Sequence, residues 1–155
     1  MLFRSEHTAL SVERARLALP ILVRQANANQ PITYGALAAE LGLHHRAIRF
    51  IAWFLADLCN ERGFPPITAI IVSSSKGIPS DGFFAATNRM RSNLSDQDRR
   101  EMFVADRAQI VNFDWTPLLS ELGVRALGPL QTDLDEEARS YERELSLPRF
   151  PGHLL

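Results

Sequence analysis

The sequence predicts a mostly helical α+β fold: a winged helix-turn-helix followed by additional C-terminal helices. Three observations predict it. Two helical patterns are separated by Gly42, a β-branched apolar run follows at Ile67–Val72, and a Ser/Lys/Gly loop comes next at Ser73–Gly77. This order of parts, from about residue 32 to residue 84, is the order of a winged helix-turn-helix.

The length of 155 residues predicts one domain with an appendage. We place a winged-helix domain with packed flanking helices at 1–128, its core module at about 32–84, and an acidic helix with an extended tail at 129–155. One cysteine excludes a disulfide framework. No apolar run approaches the roughly 20 residues of a membrane helix, and no signal-peptide pattern is present. We expect a cytoplasmic protein without a membrane partner.

The first long helix is predicted from Ser11 to about Asn27, with Ser11 as its N-cap and Pro20 kinking or dividing it. Leading helices of this kind pack behind a helix-turn-helix. Its buried side is expected to consist of Leu17, Ala18, Ile21 and Val23.

The helix-turn-helix itself is predicted from local signals. Thr33 can cap a first helix that ends at Leu41, and Gly42 suits the left-handed position after it. The second helix should run from His45 to about Arg62, where Gly63 and two prolines end it. Its inner stripe is expected to be Ala47, Ile48, Ile51, Leu55, Leu58 and Cys59.

Beyond this helix, Ile67–Val72 is predicted as a buried strand, and residues 78–84 as a returning edge strand or irregular loop. Ser95 should cap a later helix through a capping box, and Thr116 with Pro117 should start a short one. We interpret Trp115 as a core anchor rather than a base-stacking residue. A final acidic helix is expected to carry a stripe of Leu134, Ala138, Tyr141 and Leu145.

The net charge of −1 hides an asymmetry between the two parts of the chain. Residues 1–92 carry ten Lys or Arg and six Asp or Glu, a balance of +4, whereas residues 93–155 carry seven and twelve, a balance of −5. The basic part contains the helix-turn-helix, as attraction to phosphate requires. Because +4 is modest, we expect weak, salt-sensitive binding to nucleic acid.

The candidate binding residues follow from this arrangement. His45, Arg46 and Arg49 stand at the start of the second helix, where such helices meet DNA, and Arg can clamp phosphate or guanine with two hydrogen bonds. Ser75 and Lys76 suit a phosphate contact from the loop. Solvated arginines and a plain hairpin connection are the alternatives for these two groups.

Five segments together resemble a known family: Ile32–Ala38, Arg46–Ile48, Pro66 with its apolar strand, Ser73–Ser75 and Ser80–Gly82. They are similar to the C-terminal domain of the O6-alkylguanine-DNA alkyltransferases and of the non-catalytic alkyltransferase-like proteins, over roughly residues 20 to 90. The resemblance implies binding of double-stranded DNA through the minor groove. It also implies that Tyr34 helps to rotate the target nucleotide out of the duplex and that Arg46 fills the space left behind.

The departure from that family concerns its chemistry. Where the family has an acceptor Cys followed by His and Arg, this chain has Ile67, Thr68 and Ala69 after Pro66. Cys59 lies on the inner stripe, where burial makes a thiol inert. We therefore expect a non-catalytic protein without a cofactor or metal.

Two further side-chain pairs are weighed as possible metal or acid sites. The adjacent His44 and His45 should diverge by about 100° on a helix and so not chelate one metal. Asp57 and Glu61 share a helix face and are expected to be solvated carboxylates rather than an acid pair.

Phe50 and Trp53 leave two interpretations open. They lie on the same face as the two arginines and could stack on bases, or they could be buried under the C-terminal helices. The alternative function is a protein-interaction or dimerisation module, which would use this patch or self-associate through the acidic C-terminal helix.

Overall fold

The computed structural model describes residues 7–80, residue 83 and residues 94–130. This part of the chain is mostly helical, as predicted, and contains a small two-stranded sheet. Its elements are α1 (Ala9–Asn27), β1 (Ile32–Thr33), α2 (Tyr34–Leu41), α3 (Ile48–Arg62), β2 (Ile71–Val72), α4 (Asp96–Asn112) and α5 (Thr116–Glu121). Two short 3-10 helices, His45–Ala47 and Ile67–Ile70, lead into α3 and β2.

Helix α1 is the centre of the core. Its six consecutive residues from Ala18 to Val23 are buried, and α3, the 3-10 helix Ile67–Ile70 and α4 pack around it. The helix is not divided at Pro20. It also begins earlier than predicted, because Thr8 rather than Ser11 is the cap and its Oγ1 accepts from the Ser11 N–H at 3.0 Å.

One residue that was predicted for the buried face of α1 is exposed. Leu17 is 61% exposed, not buried. The buried face is centred on Ala15, Ala18, Leu19 and Leu22, which recur at helical spacing, and Leu17 lies away from that line. The prediction for the other three residues, Ala18, Ile21 and Val23, is confirmed.

The two helices of the predicted helix-turn-helix are present. The Thr33 side chain accepts from the Ala36 N–H at 3.1 Å, and Gly42 ends α2 with a φ of 68°. The second helix starts as one 3-10 turn and becomes α-helical at Ile48, then ends at Gly63 with a φ of 70°. The local capping signals therefore placed this unit correctly, apart from the 3-10 turn.

The sheet differs from the predicted hairpin. β1 and β2 pair in parallel, with Ile32 opposite Ile71 and Thr33 opposite Val72. Only the last two residues of the apolar run 67–72 form a strand, because the first four close a 3-10 turn in which the Ala69 N–H bonds to the Pro66 carbonyl at 3.0 Å. No strand is assigned to Ile78–Ser80, so in the described residues Ser73–Gly77 does not join two paired strands.

The C-terminal helices belong to the same core as α1 and α3. Ser95 and Asp98 form the predicted capping box of α4. Trp115 is 2% exposed and its Nε1 donates to the Ile110 carbonyl at 2.9 Å, which confirms it as a core anchor. Ile110, Leu118 and Leu119 are buried in the same cluster as Trp115.

The start of α5 corrects a smaller prediction. Trp115, not Thr116, is the residue that precedes the helix, and Asp114 Oδ1 accepts from the Thr116 N–H at 3.0 Å. A hydrogen bond from the Thr116 side chain, together with this backbone bond, holds the pKa of the Asp114 carboxyl below its usual value. The acidic helix predicted after Thr132 and the connector with Arg89 and Arg91 lie outside the described residues.

Candidate functional site

The start of α3 presents two arginines to solvent. Arg46 is in the 3-10 turn and Arg49 in the first α-helical turn, and both are exposed. Neither forms an ion pair with a carboxylate of the described residues, whereas Arg24 and Arg62 do so at 2.6 Å, with Glu40 and Glu121. The chain from residue 41 to residue 56 contains no Asp or Glu. This end of α3 is therefore cationic, and the partial positive charge of the helix terminus adds to it.

The two histidines before Arg46 are arranged differently from the prediction. The rings of His44 and His45 lie side by side, with centroids 4.3 Å apart and planes at 31°, and do not diverge. The reason is that His44 is not helical: its backbone is extended, and it caps the 3-10 turn by accepting the Arg46 N–H on Nδ1 at 3.2 Å. His45 is exposed beside Arg46.

Phe50 and Trp53 extend this surface along α3. They are 44% and 37% exposed, so the interpretation in which C-terminal helices bury both rings is wrong. The Arg49 guanidinium lies 4.8 Å from the centre of the Phe50 ring. The Trp53 indole meets the His7 ring in a T-shaped contact at 4.6 Å. Two cationic side chains, Arg46 and Arg49, are thus followed by two exposed rings, Phe50 and Trp53.

The other three predicted binding residues form a second group. Because β1 and β2 are parallel, they end at the same edge of the sheet, which brings the start of α2 near the Ser73–Gly77 loop. The Tyr34 hydroxyl lies 3.0 Å from the Ser80 Oγ and accepts from the Ser80 N–H at 3.3 Å. Ser80 is a partner of Tyr34 that the sequence analysis did not identify, although it lies in a segment that carries the family resemblance.

The loop itself is held by short internal bonds. The hydroxyls of Ser73 and Ser75 are 2.9 Å apart, and the Gly77 N–H donates to the Ser73 carbonyl at 2.8 Å. Gly77 has a φ of 69°, a conformation that glycine adopts without steric cost. Ser75 and Lys76 are exposed, and the Lys76 ammonium pairs with Asp96 at 3.2 Å on the surface.

The six predicted residues therefore lie in two groups rather than one. His45, Arg46 and Arg49 stand at the end of the turn after α2, while Tyr34, Ser75 and Lys76 stand at the start of α2 and in the neighbouring loop. The eight residues of α2 separate them by about 12 Å along its axis. In the described residues no hydrogen bond or ion pair joins the two groups.

The side chains considered above for catalysis are either buried or paired with other residues. Burial raises the pKa of the Cys59 thiol to about 11, so the thiolate is scarce at neutral pH. Asp57 Oδ2 lies 2.6 Å from the buried His7 Nε2, and Glu61 pairs with Arg62, so these two carboxylates do not form an acid pair. Among residues 7–80, 83 and 94–130, no cluster of three or more His, Cys, Asp or Glu is arranged to hold a metal ion.

A cleft of about 510 Å³ lies between the start of α1, α3 and the end of α5. Val12, Phe54 and Leu58 supply much of its apolar wall. Its polar groups are bonded within the protein, since Arg16 donates to the Leu122 carbonyl at 2.8 Å and Glu121 binds Arg62. We assign no ligand to this cleft.

Two broader findings complete the description. In the described part of the chain, every helix is too short or too polar to span a bilayer. Comparison with protein-family models, with curated proteins and with solved structures finds no match to this chain. The resemblance to the alkyltransferase family therefore stays a prediction.

Proposed function

We propose that the protein is a non-catalytic DNA-binding protein whose helix-turn-helix contacts DNA at the start of α3. The observation that carries the proposal is the pair of exposed arginines, Arg46 and Arg49, on a stretch of chain without a carboxylate. A helix-turn-helix presents this part of its second helix to DNA. Most of the sequence-independent affinity for DNA comes from such contacts with phosphate.

The surroundings of the two arginines support this proposal over a purely structural role. Arg24, Arg62 and Arg107 each bind acceptors that tie segments of the fold together, for example Asn29 for Arg107 at 2.7 Å. Arg46 and Arg49 have no such acceptor among the described residues. Their side chains are therefore available to bind phosphate or a base edge with two parallel hydrogen bonds.

Within the proposal, the module is an alkyltransferase-like winged helix, and the loop Ser73–Gly77 occupies the place of its wing. The parallel strand ends support this, because they set the loop beside the start of α2, where Tyr34 binds Ser80. Ser75 and Lys76 would then bind backbone phosphate. A preference for distorted or modified DNA rests on the family resemblance.

The test is a fluorescence-anisotropy titration against a labelled duplex at low salt. Arg46→Ala is expected to weaken binding several-fold, because one phosphate contact is lost. The matched control is Arg125→Ala, because Arg125 is also exposed but lies far from Arg46. It comes four residues after Glu121, which pairs with Arg62 at the opposite end of α3. Negligible binding by all three proteins, or equal losses in both variants, would remove the proposal.

A second function is favoured by one observation, the exposure of two large rings on α3. In this alternative the module binds a protein partner or a second copy of itself through Phe50 and Trp53. Light scattering in solution distinguishes the two functions: this one predicts a dimer or complex that Phe50→Ala weakens, together with no response to DNA.

A further inference from the structure

Four exposed side chains follow one another from the 3-10 turn His45–Ala47 into α3. Within α3, Trp53 lies three residues after Phe50 and four after Arg49, the spacing of one helix face, and Arg46 precedes them in the 3-10 turn, where residues three apart again lie one above the other. We name them the Arg/aromatic stripe. Building on the proposed function, we propose that the Arg/aromatic stripe binds unpaired bases of single-stranded nucleic acid, with bases on Phe50 and Trp53 and phosphates on Arg46 and Arg49.

The first argument is the nature of the exposed rings. In a duplex each base has its flat faces covered by its neighbours, so a phenyl or indole ring can reach only base edges. An unpaired base offers a face, and stacking on an aromatic side chain then removes apolar surface of both partners from water. Rings that are 44% and 37% exposed have free area for such a contact.

The second argument is the spacing within the stripe. Phe50 and Trp53 are three residues apart, which is about 4.5 Å along the helix axis. Successive bases in a strand are about 3.4 Å apart when stacked. Each ring can therefore take its own base from one slightly extended strand, while the arginines follow the backbone.

The third argument is charge. The Arg49 guanidinium lies over one face of the Phe50 ring and makes this patch cationic as well as aromatic, and no carboxylate occurs from residue 41 to residue 56. An apolar protein partner would have to desolvate two arginines without a counter-charge, which costs free energy. A polyanion with flat bases satisfies both features of the surface. His7 holds the Trp53 indole from one side, so the ring is partly ordered before binding.

Intrinsic fluorescence supplies the test, because the chain has two tryptophans and Trp115 is only 2% exposed. The full-length protein is titrated with a twelve-nucleotide oligothymidylate and, separately, with an unlabelled duplex of equal length. We expect the single strand to quench tryptophan fluorescence and this quenching to disappear in Trp53→Phe. The single strand should also bind at least about fivefold more tightly than the duplex.

Phe50→Ala separates stacking from phosphate contact. It is expected to weaken single-strand binding by about fivefold or more and to leave duplex binding unchanged, while Phe50→Tyr restores the affinity. Melting curves of both variants check that they are folded, since substitutions at an exposed position should leave the fold intact.

The outcomes are distinguishable. Binding of the duplex as tight as that of the single strand, with no quenching, overturns this inference and leaves DNA binding intact. No binding of either nucleic acid overturns both. A dimer that Phe50→Ala dissociates, without quenching by the oligonucleotide, overturns the inference in favour of self-association.

Discussion

Thr68 is the clearest unpaired polar side chain in the described core. It is 2% exposed, and its Oγ1 has no hydrogen-bond partner. Thr68→Val replaces this hydroxyl with a methyl group of similar size, so the cost of burying an unsatisfied group disappears. We expect the free energy of unfolding to rise by about 1 kcal/mol, measured by denaturant titration. A clear loss of stability would show that the hydroxyl is bonded in solution.

Cys59 gives a prediction about reactivity and pH. Its thiol is buried and has a pKa of about 11, so a thiol reagent at neutral pH should modify it only after denaturation. Because burial raises the pKa of the folded thiol above its ordinary value of 9.0, ionisation favours the unfolded chain, and the stabilising effect of the neutral thiol is lost as the pH rises from 9 towards 11. Rapid modification of the native protein at pH 7 would contradict the burial.

At the scale of residues, the sequence predicts exposure better than it predicts partners. Helical spacing placed Arg46 and Arg49 on the surface and Cys59 in the core. It could not show that Tyr34 binds Ser80 or that His7 binds Asp57, because these pairs are 46 and 50 residues apart and form only through the tertiary fold. The close approach of the His44 and His45 rings was missed for a local reason, because His44 is a cap residue with an extended backbone.

At the scale of elements, the two glycines of α2 form a matched pair. A Cβ added at Gly42 or at Gly35 meets no atom within 4 Å, so packing is not the difference between them. Gly42 has a φ of 68°, and Gly42→Ala should cost about 1 kcal/mol and loosen the turn before Arg46. Gly35 lies in the first turn of α2, and Gly35→Ala should stabilise by up to roughly 0.5 kcal/mol, less than in the middle of a helix. Thermal unfolding measures both, and equal effects would contradict the left-handed conformation of Gly42.

Helices were predicted well and the sheet was not, for one physical reason. A helix end depends on residues next to it, as Thr33 and Gly42 show for α2. A strand depends on a distant partner, and β1 lies nearly forty residues before β2. The β-branched run 67–72 has strand propensity, but packing against α1 and α3 holds its first four residues in a 3-10 turn.

At the scale of the molecule, α4 and α5 are part of the domain and not an attachment. Leu118 and Trp115 belong to the same buried cluster as α1 and α3. Leu118→Ala should therefore lower the free energy of unfolding by about 2–5 kcal/mol and leave a single cooperative transition. Two separate transitions, with only one of them shifted, would show that the C-terminal helices fold independently.

The molecule as a whole carries little net charge, so the proposed DNA binding would have to come from local charge. In the described residues, Arg46 and Arg49 are exposed at the start of α3 on a stretch without a carboxylate, and the Arg/aromatic stripe begins there. The predicted domain boundary at Gly128 and the acidic helix beyond it stay predictions, since residues 131–155 are outside the described ranges.

The salt dependence of DNA affinity tests the role of the α3 cations most directly. The wild-type protein and the double variant Arg46→Ala, Arg49→Ala are titrated with the same duplex over a series of salt concentrations. We expect the slope of log Kobs against log salt to become shallower by about 2 in the double variant, because each lost phosphate contact removes about 1. Equal slopes and equal affinities for the two proteins would show that these arginines do not contact DNA.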